Sequence, residues 1–137
     1  MRKSGVLMHI SSLPSPHGIG SMGKPARDFV DFLDKAGQAY WQILPVCPTS
    51  YGDSPYQSFS TFAGNPYFID LDELCKAGYL KRKEYAGIDW ESEPDRVNYE
   101  ALYNKRYVVL RKAAERFLEN PEDGYTSPKT NTRLSIL

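Results

Sequence analysis

The sequence predicts an α/β fold in which a helix connects two neighbouring parallel strands. Three observations support this prediction: an apolar run at Val6–Ile10, a helical pattern from Pro25 to Ala36, and a second apolar run at Ala39–Val46. The second run shows little polar alternation, which is typical of a strand covered on both faces. A strand, a helix and a strand within so short a stretch form a βαβ unit, which implies a parallel sheet.

The helix between the two strands has clear start and stop signals. Pro25 suits a first helical turn, where its missing amide proton costs nothing. Gly37 lies where a left-handed cap would end the helix, and Asp28, Asp31 and Asp34 lie off the apolar face. The apolar residues that recur at helical spacing are Ala26, Phe29, Val30, Leu33 and Ala36.

The pattern is less regular after the second strand. Residues 47–66 form a long loop rich in Pro, Gly, Ser, Tyr and Phe. Tyr67–Ile69 is predicted as a short strand, and Leu71–Lys76 as a helical turn closed by Gly78. A second helix begins near Tyr99, and its apolar residues recur along one face: Tyr103, Tyr107, Leu110, Ala114 and Phe117.

The same patterns predict the domain organisation. Residues 1–119 carry all the periodic segments and predict one α/β domain, which the resemblance described below implies to be part of a barrel. After Asn120 the composition becomes polar and loses its periodicity. Residues 120–137 are therefore predicted to be a poorly ordered or non-native tail.

Composition excludes several classes of function. Lys and Arg together number 17 and so do Asp and Glu, so no basic field is available for nucleic acid or an anionic membrane. No run approaches the roughly 20 apolar residues of a membrane helix, and the amino-terminal apolar run is too short for a signal peptide, which favours the cytoplasm. Cys47 and Cys75 form no CxxC or Cys/His cluster and are predicted to be buried free thiols. No cofactor or metal is expected.

A glycine motif between the first strand and the helix needs separate consideration. Gly18–Gly23 matches G-x-G-x-x-G, the pattern of a dinucleotide-binding turn. Two features weaken this interpretation: Ile10–His17 separates the strand from the first glycine, and the second strand lacks an acidic residue at its end. A tight structural turn is the favoured interpretation, and a dinucleotide-binding domain stays open as the alternative.

The loop after the second strand is the candidate site, because ligands of parallel α/β folds bind beyond the carboxyl ends of the strands. An aromatic ring accepts the C–H face of a pyranose, while Asp, Ser and Gln side chains satisfy sugar hydroxyls. Residues 51–60 supply this set. A self-packed Ω-loop that covers the end of a barrel is the structural alternative. His9 lies at the same rim, where a satisfied structural histidine is favoured.

These segments, taken in order, resemble the amino-terminal portion of the 4-α-glucanotransferases, the amylomaltase or disproportionating-enzyme family. The matching stretches include SGVLMHISSLP at 4–14, HGIG at 17–20, WQILP at 41–45 and YGDSPYQSFSTFAGNP at 51–66. The likeness covers residues 4–80 and extends more loosely to 119. The last stretch is long and unusual, and it makes the resemblance specific.

The resemblance implies the amino-terminal part of a (β/α)8 TIM-type barrel, incomplete in this chain. It also implies transfer of α-1,4-glucan segments between maltodextrins or to glucose. Within the loop it places a sugar-stacking tyrosine at Tyr56, a glucan-contacting serine at Ser54 and a remote aromatic at Tyr51. Asp53 and Gln57 lie inside the motif as supports of the loop or as further ligands.

The chemistry of a retaining transfer is not complete within this sequence. It requires two carboxyl groups about 5 Å apart, one as nucleophile and one as acid/base. Only Asp53 lies in a suitable loop, so no catalytic residue is assigned, and the resemblance implies that the carboxylates lie beyond this chain. A non-catalytic carbohydrate-binding module is a further alternative, although the β-rich pattern usual for such modules is absent.

Overall fold

The computed structural model describes residues 2–50, 52–93 and 95–121. Strand β1 (Gly5–Leu7) pairs in parallel with β2 (Tyr40–Gln42), and Val6 lies opposite Trp41. Helix α1 (Lys24–Lys35) connects them. The predicted βαβ unit and its parallel pairing are therefore confirmed.

Both strands are shorter than predicted. The end of the first apolar run turns into a 3-10 helix at Ile10–Ser12, where the Leu13 amide donates to the Ile10 carbonyl. One bond extends the ladder at each end: the Met8 amide donates to the Gln42 carbonyl at 3.0 Å, and the Ala39 amide donates to the Ser4 carbonyl at 2.9 Å. The expectation that the second strand is covered on both faces is wrong for the described chain, because Tyr40 is 60% exposed. Burial of both faces needs neighbouring layers, and the apolar pattern alone does not supply them.

The start and the end of helix α1 agree with the signals that predicted them from the sequence. Pro25 occupies the first turn, and Gly37 adopts a left-handed φ of 68° at the end. The Gln38 amide reaches back to the Leu33 carbonyl at 2.9 Å, which closes the last turn. Leu33 is buried, whereas Val30 of the predicted apolar face is exposed.

The segment after the long loop contains two short helices. Pro66–Phe68 is a 3-10 helix rather than the predicted strand, because the Asn65 side chain accepts the Tyr67 amide and starts a turn there. Helix α2 (Leu71–Lys76) begins at Asp70, whose carboxylate accepts the Glu73 amide, and it ends before Gly78 as predicted.

The last helical element has three parts: α3 (Tyr99–Ala101), a π-helical segment (Leu102–Arg106) and α4 (Tyr107–Glu119). Its buried face differs from the predicted stripe. Leu102, Val109 and Ala113 are buried, whereas Tyr103 is 67% exposed. The hydrophobic core lies between these helices and the loop after β1, and it contains Ile10, Leu13, Ile19, Tyr67, Phe68, Leu71, Leu80, Tyr85, Trp90, Leu102, Val109 and Ala113.

Arg106 connects three parts of this core. Its side chain is fully buried and donates to the carbonyls of His17, at 3.0 Å, and Ile69, at 2.7 Å. Burial lowers the pKa of its guanidinium to about 10. The guanidinium also lies 5.8 Å from the centre of the Trp90 ring. A buried cation that donates to two carbonyls holds the loop after β1 against the helices.

A cluster of polar side chains next to the Arg106 contacts also holds the loop after β1. His17 Nε2 lies 3.2 Å from Asp72 Oδ2, and the Tyr85 hydroxyl donates to Asp72 Oδ1 at 2.7 Å. The hydrogen bond from Tyr85 is the main cause of the lowered pKa of Asp72. The loop after β1 is thus attached to α2 by hydrogen bonds as well as by apolar packing.

Candidate functional site

The loop that leaves β2 lies at the edge of the sheet where both parallel strands end. Its two arms pair with each other, since Thr49 and Ser58 form an antiparallel bridge and the Ser50 amide donates to the Gln57 carbonyl at 3.0 Å. Its base is closed by the Asn65 amide, which donates to the Val46 carbonyl at 2.8 Å. These contacts give the loop a defined shape of its own.

The predicted site residues take different positions on this loop. Tyr56 is 72% exposed and Gln57 is also exposed, so both side chains are available to a ligand. Ser54 is half-buried, and its hydroxyl accepts the Tyr56 amide at 3.4 Å. Tyr51 lies outside the described residues. Among the predicted site residues that the structure describes, Tyr56 and Gln57 are therefore the exposed ones.

Asp53 faces inward and shapes the turn. It has a left-handed φ of 54°, and its amide donates to the Ser50 carbonyl at 3.1 Å. The Thr49 hydroxyl lies 3.5 Å from its carboxylate. An aspartate tolerates this backbone conformation better than most residues, which accounts for its place in the loop.

A cavity of about 190 Å³ lies behind the loop and brings Asp53 together with His9. It does not include Ser54, Tyr56 or Gln57. The sequence did not single out Thr49, Asn65 or Tyr99, which contribute polar groups to the same cavity. Tyr99 lies far along the chain and carried only a helical signal, so its position here could not be read from spacing.

Burial shifts the titration of the groups that line the cavity. It raises the pKa of Asp53, against a smaller opposing effect of the Thr49 hydrogen bond. It also lowers the pKa of His9, which favours the neutral imidazole. His9 Nδ1 is buried and has no hydrogen-bond partner among the described residues. The expected satisfied structural histidine is therefore not what the described chain shows.

The acidic groups in the described chain do not form a catalytic pair here. Asp53 is the one acidic side chain among the described residues that line the cavity. Retaining glycosyl transfer needs a second carboxyl group about 5 Å away. Within residues 2–50, 52–93 and 95–121, no group of three or more His, Cys, Asp or Glu side chains could hold a metal ion.

The glycine motif packs against its own chain. A Cβ atom at Gly20 would lie 2.0 Å from the Ile10 carbonyl oxygen, and the Gly20 amide donates to the Ser11 carbonyl. The close approach explains the glycine by packing, which favours the tight structural turn.

Cys47 and Cys75 are free and half-buried. Among the described helices, none has both the length and the apolar character needed to cross a membrane.

The fold and the loop define a parallel α/β protein with a sugar-compatible loop at the ends of its strands. The 4-alpha-glucanotransferase family model, Glyco_hydro_77, matches residues 8–132. The chain belongs to this family. The match extends into the predicted tail at 120–137, and the domain boundary at 119 stays a prediction.

The individual relatives that the chain resembles agree with this family assignment. The chain is 58% identical over 118 residues to a 4-alpha-glucanotransferase of Streptococcus pneumoniae, a match that covers 86% of this chain and 23% of that protein. It is 50% identical over 124 residues to the Thermus thermophilus 4-alpha-glucanotransferase, with 89% and 24% covered. An amylomaltase from Streptococcus agalactiae, solved in complex with acarbose, superposes with a TM-score of 0.85 at 50% identity and covers 88% of this chain. The chain spans about a quarter of the length of these relatives.

Proposed function

We propose that the chain is the amino-terminal part of a (β/α)8-barrel 4-α-glucanotransferase that moves α-1,4-glucan segments between maltodextrins or to glucose. One observation carries the proposal: a chain 58% identical to such an enzyme presents an exposed tyrosine, Tyr56, on a self-closed loop at the ends of its parallel strands. The binding of acarbose by the S. agalactiae amylomaltase supports a sugar ligand.

Within this proposal the loop binds glucan and does not cleave it. Tyr56 stacks against a pyranose ring, while Ser54 and Gln57 supply hydrogen bonds to its hydroxyls. Asp53 holds the turn that presents them, through its amide bond to Ser50. Tyr51 contributes a stacking surface at a more remote position of the glucan. The neutral imidazole of His9 lies behind the loop.

The two carboxylates of the retaining mechanism lie on polypeptide outside this chain. One attacks the anomeric carbon and the other protonates the leaving oxygen; the 4-hydroxyl of the acceptor then displaces the enzyme from the glycosyl intermediate. The isolated chain is accordingly expected to be inactive. Conversion of maltotriose to glucose and longer maltodextrins by the pure chain would contradict this assignment. A cytoplasmic location stays a prediction.

A chimera tests the role of the loop. The residues of the S. pneumoniae enzyme that align with this chain are replaced by the residues of this chain, and kcat/KM is measured on maltotriose. Tyr56→Ala should lower kcat/KM about 10- to 100-fold, since loss of one buried aromatic contact costs about 1.5–3 kcal/mol. Tyr56→Phe is the matched control and should retain most activity, because the ring is kept. Equal activity of the Ala and Phe variants would exclude a stacking role.

A further inference from the structure

His9 connects the end of β1 to the cavity behind the site loop (residues 51–60). It is the second residue after the strand, and its backbone carbonyl accepts the Ser12 amide at 3.0 Å. Its ring packs edge-on against the ring of Phe68, with the ring centres 5.2 Å apart. The backbone bond and the ring contact together hold the imidazole at the wall of the cavity.

The two ring nitrogens of His9 have different surroundings. Nδ1 is buried without a partner among the described residues, whereas Nε2 is not one of the buried unpartnered atoms of that part of the chain. A neutral imidazole carries one N–H and one lone pair, and an unpartnered buried N–H is the rarer of the two in proteins. The favoured tautomer therefore has its lone pair on Nδ1 and its proton on Nε2. In this tautomer Nε2 is the donor that His9 can present to the cavity.

Asp53 is the group in the cavity that this donor suits. Its carboxylate has one long contact, at 3.5 Å, with the Thr49 hydroxyl, although a carboxylate offers about four lone-pair sites. Burial raises the pKa of Asp53 more than the Thr49 bond lowers it, so the surroundings only partly compensate the negative charge. A further hydrogen-bond donor would supply the missing compensation.

We propose that His9 is a positioning residue of the site loop, which it holds through a water molecule that accepts from Nε2 and donates to the Asp53 carboxylate. The cavity suits such a water, because Thr49, Asn65 and Tyr99 contribute further polar groups and a buried water needs two to four partners. Its volume of about 190 Å³ exceeds the share of one water in the liquid, about 30 Å³. Such water-mediated bonds are nearly as favourable as direct ones.

The effect of His9 on a glucan passes through the turn at Asp53. The Asp53 amide donates to the Ser50 carbonyl at 3.1 Å, and the Ser50 amide donates to the Gln57 carbonyl at 3.0 Å. A carboxylate held by His9 keeps this turn closed and so fixes the position of Tyr56. The inference rests on the proposed function for the identity of the ligand, but the order of the loop can be measured without a ligand.

Amide hydrogen exchange tests the contact without requiring catalysis. Exchange of the loop peptide that contains the Ser50, Asp53 and Gln57 amides is followed by mass spectrometry in the chimera. His9→Leu removes both ring nitrogens and should speed this exchange at least about fivefold. His9→Gln places an amide N–H near the position of Nε2 and should stay within about twofold of the parent. His9→Asn places its amide nearer the position of Nδ1 and should behave like His9→Leu.

A double-mutant cycle tests whether His9 acts through Asp53. Asp53→Asn keeps a residue that tolerates the left-handed backbone conformation, and it should speed the exchange of the loop. In that background His9→Leu should add less than about twofold. Full additivity would overturn the proposal, because the two side chains would then act independently. Unchanged exchange in His9→Leu, or equal exchange in the Gln and Asn variants, would overturn it too.

The kinetics of the chimera separate positioning from catalysis. His9→Leu should raise KM for maltotriose about 5- to 20-fold and leave kcat within about threefold, since a displaced loop weakens binding rather than chemistry. A loss confined to kcat would contradict a positioning role. If His9→Leu does not fold, the Gln and Asn variants carry the same comparison, and if the chimera does not fold, exchange is compared in the chain itself.

The readouts also separate this inference from the proposed function. An inactive chimera with the expected exchange pattern would contradict the transferase assignment alone. An active chimera in which loop exchange does not respond to His9→Leu would contradict the positioning role alone.

Discussion

The strand pair and the helical cluster use their apolar residues in different ways. No residue of β1 or β2 is buried, and Leu7 is 60% exposed. In the cluster formed by α2, α3, the π-helical segment and α4, Leu71 and Leu102 are fully buried. Both regions are rich in apolar residues, in continuous runs at the strands and at helical spacing in the cluster, so the difference in burial arises from what lies next to them.

The difference shows which part of the chain buries its apolar residues without needing additional strands beside β1 and β2. The helical cluster closes around Arg106 and the loop after β1, and its hydrogen bonds are made within the described chain. A two-stranded parallel sheet leaves its edges and faces to be covered by other strands and helices. We therefore expect stability to be concentrated in the cluster, and three pairs of substitutions measure this.

The largest effect is expected at Arg106. Arg106→Met keeps the apolar bulk but removes the donors to the His17 and Ile69 carbonyls, leaving both without this partner. Hydrogen bonds from a charged donor contribute about 1.5–3 kcal/mol each, so the free energy of unfolding should fall by about 3–5 kcal/mol. Urea unfolding followed by circular dichroism measures it. Arg111→Met, at an exposed position of α4, is the control and should change stability by less than about 0.5 kcal/mol.

A pair of leucine substitutions compares the two regions directly. Leu102→Ala removes a fully buried side chain and should cost about 3 kcal/mol in the free energy of unfolding. Leu7→Ala removes a largely exposed one and should cost less than about 1 kcal/mol. Equal losses at the two positions would mean that the strands and the helical cluster unfold as one evenly packed unit.

The smallest effect depends on pH. Arg116 donates two hydrogen bonds of 2.7 Å to the Glu84 carboxylate, and these bonds are the main cause of a Glu84 pKa near 2. Because the folded pKa lies below the unfolded one, the ion pair stabilises the chain above about pH 4.5 and loses this effect as the pH falls towards 2. Glu84→Gln should therefore lower the urea midpoint near neutral pH by an amount that shrinks in acid.

A matched glutamate checks that the pH effect is specific. Glu100→Gln, at an exposed position of α3, should leave the midpoint nearly unchanged at every pH. A Glu84→Gln deficit that is the same at pH 7 and pH 3 would mean that packing of the side chain, rather than its charge, stabilises the 3-10 helix Arg82–Glu84.

Much of the candidate site could be predicted because it is contiguous in sequence. Asp53, Ser54, Tyr56 and Gln57 lie on one loop, and a loop after a parallel strand is placed at a known edge of the sheet. The cavity behind them could not be predicted. His9, Asn65 and Tyr99 come from separate segments, and only the folded chain brings them towards Asp53.

The sequence by itself determined the features that depend on neighbouring residues. Helix α1 carries Pro25 in its first turn and ends before Gly37 as predicted, and α2 ends before Gly78. The motifs of the 51–66 loop indicated the family. Caps, turn residues and loop motifs depend on residues that lie only a few positions apart, so they can be predicted from the sequence.

The tertiary structure alone decided which apolar residues are buried. It placed Val109 and Ala113 in the core and left Ala114 exposed. It also turned 66–68 into a 3-10 helix and buried Arg106 against two distant carbonyls. Helical spacing identifies apolar faces but does not say which partner each face meets. Burial is set by contacts between residues far apart in the chain, and these exist only once the elements have packed.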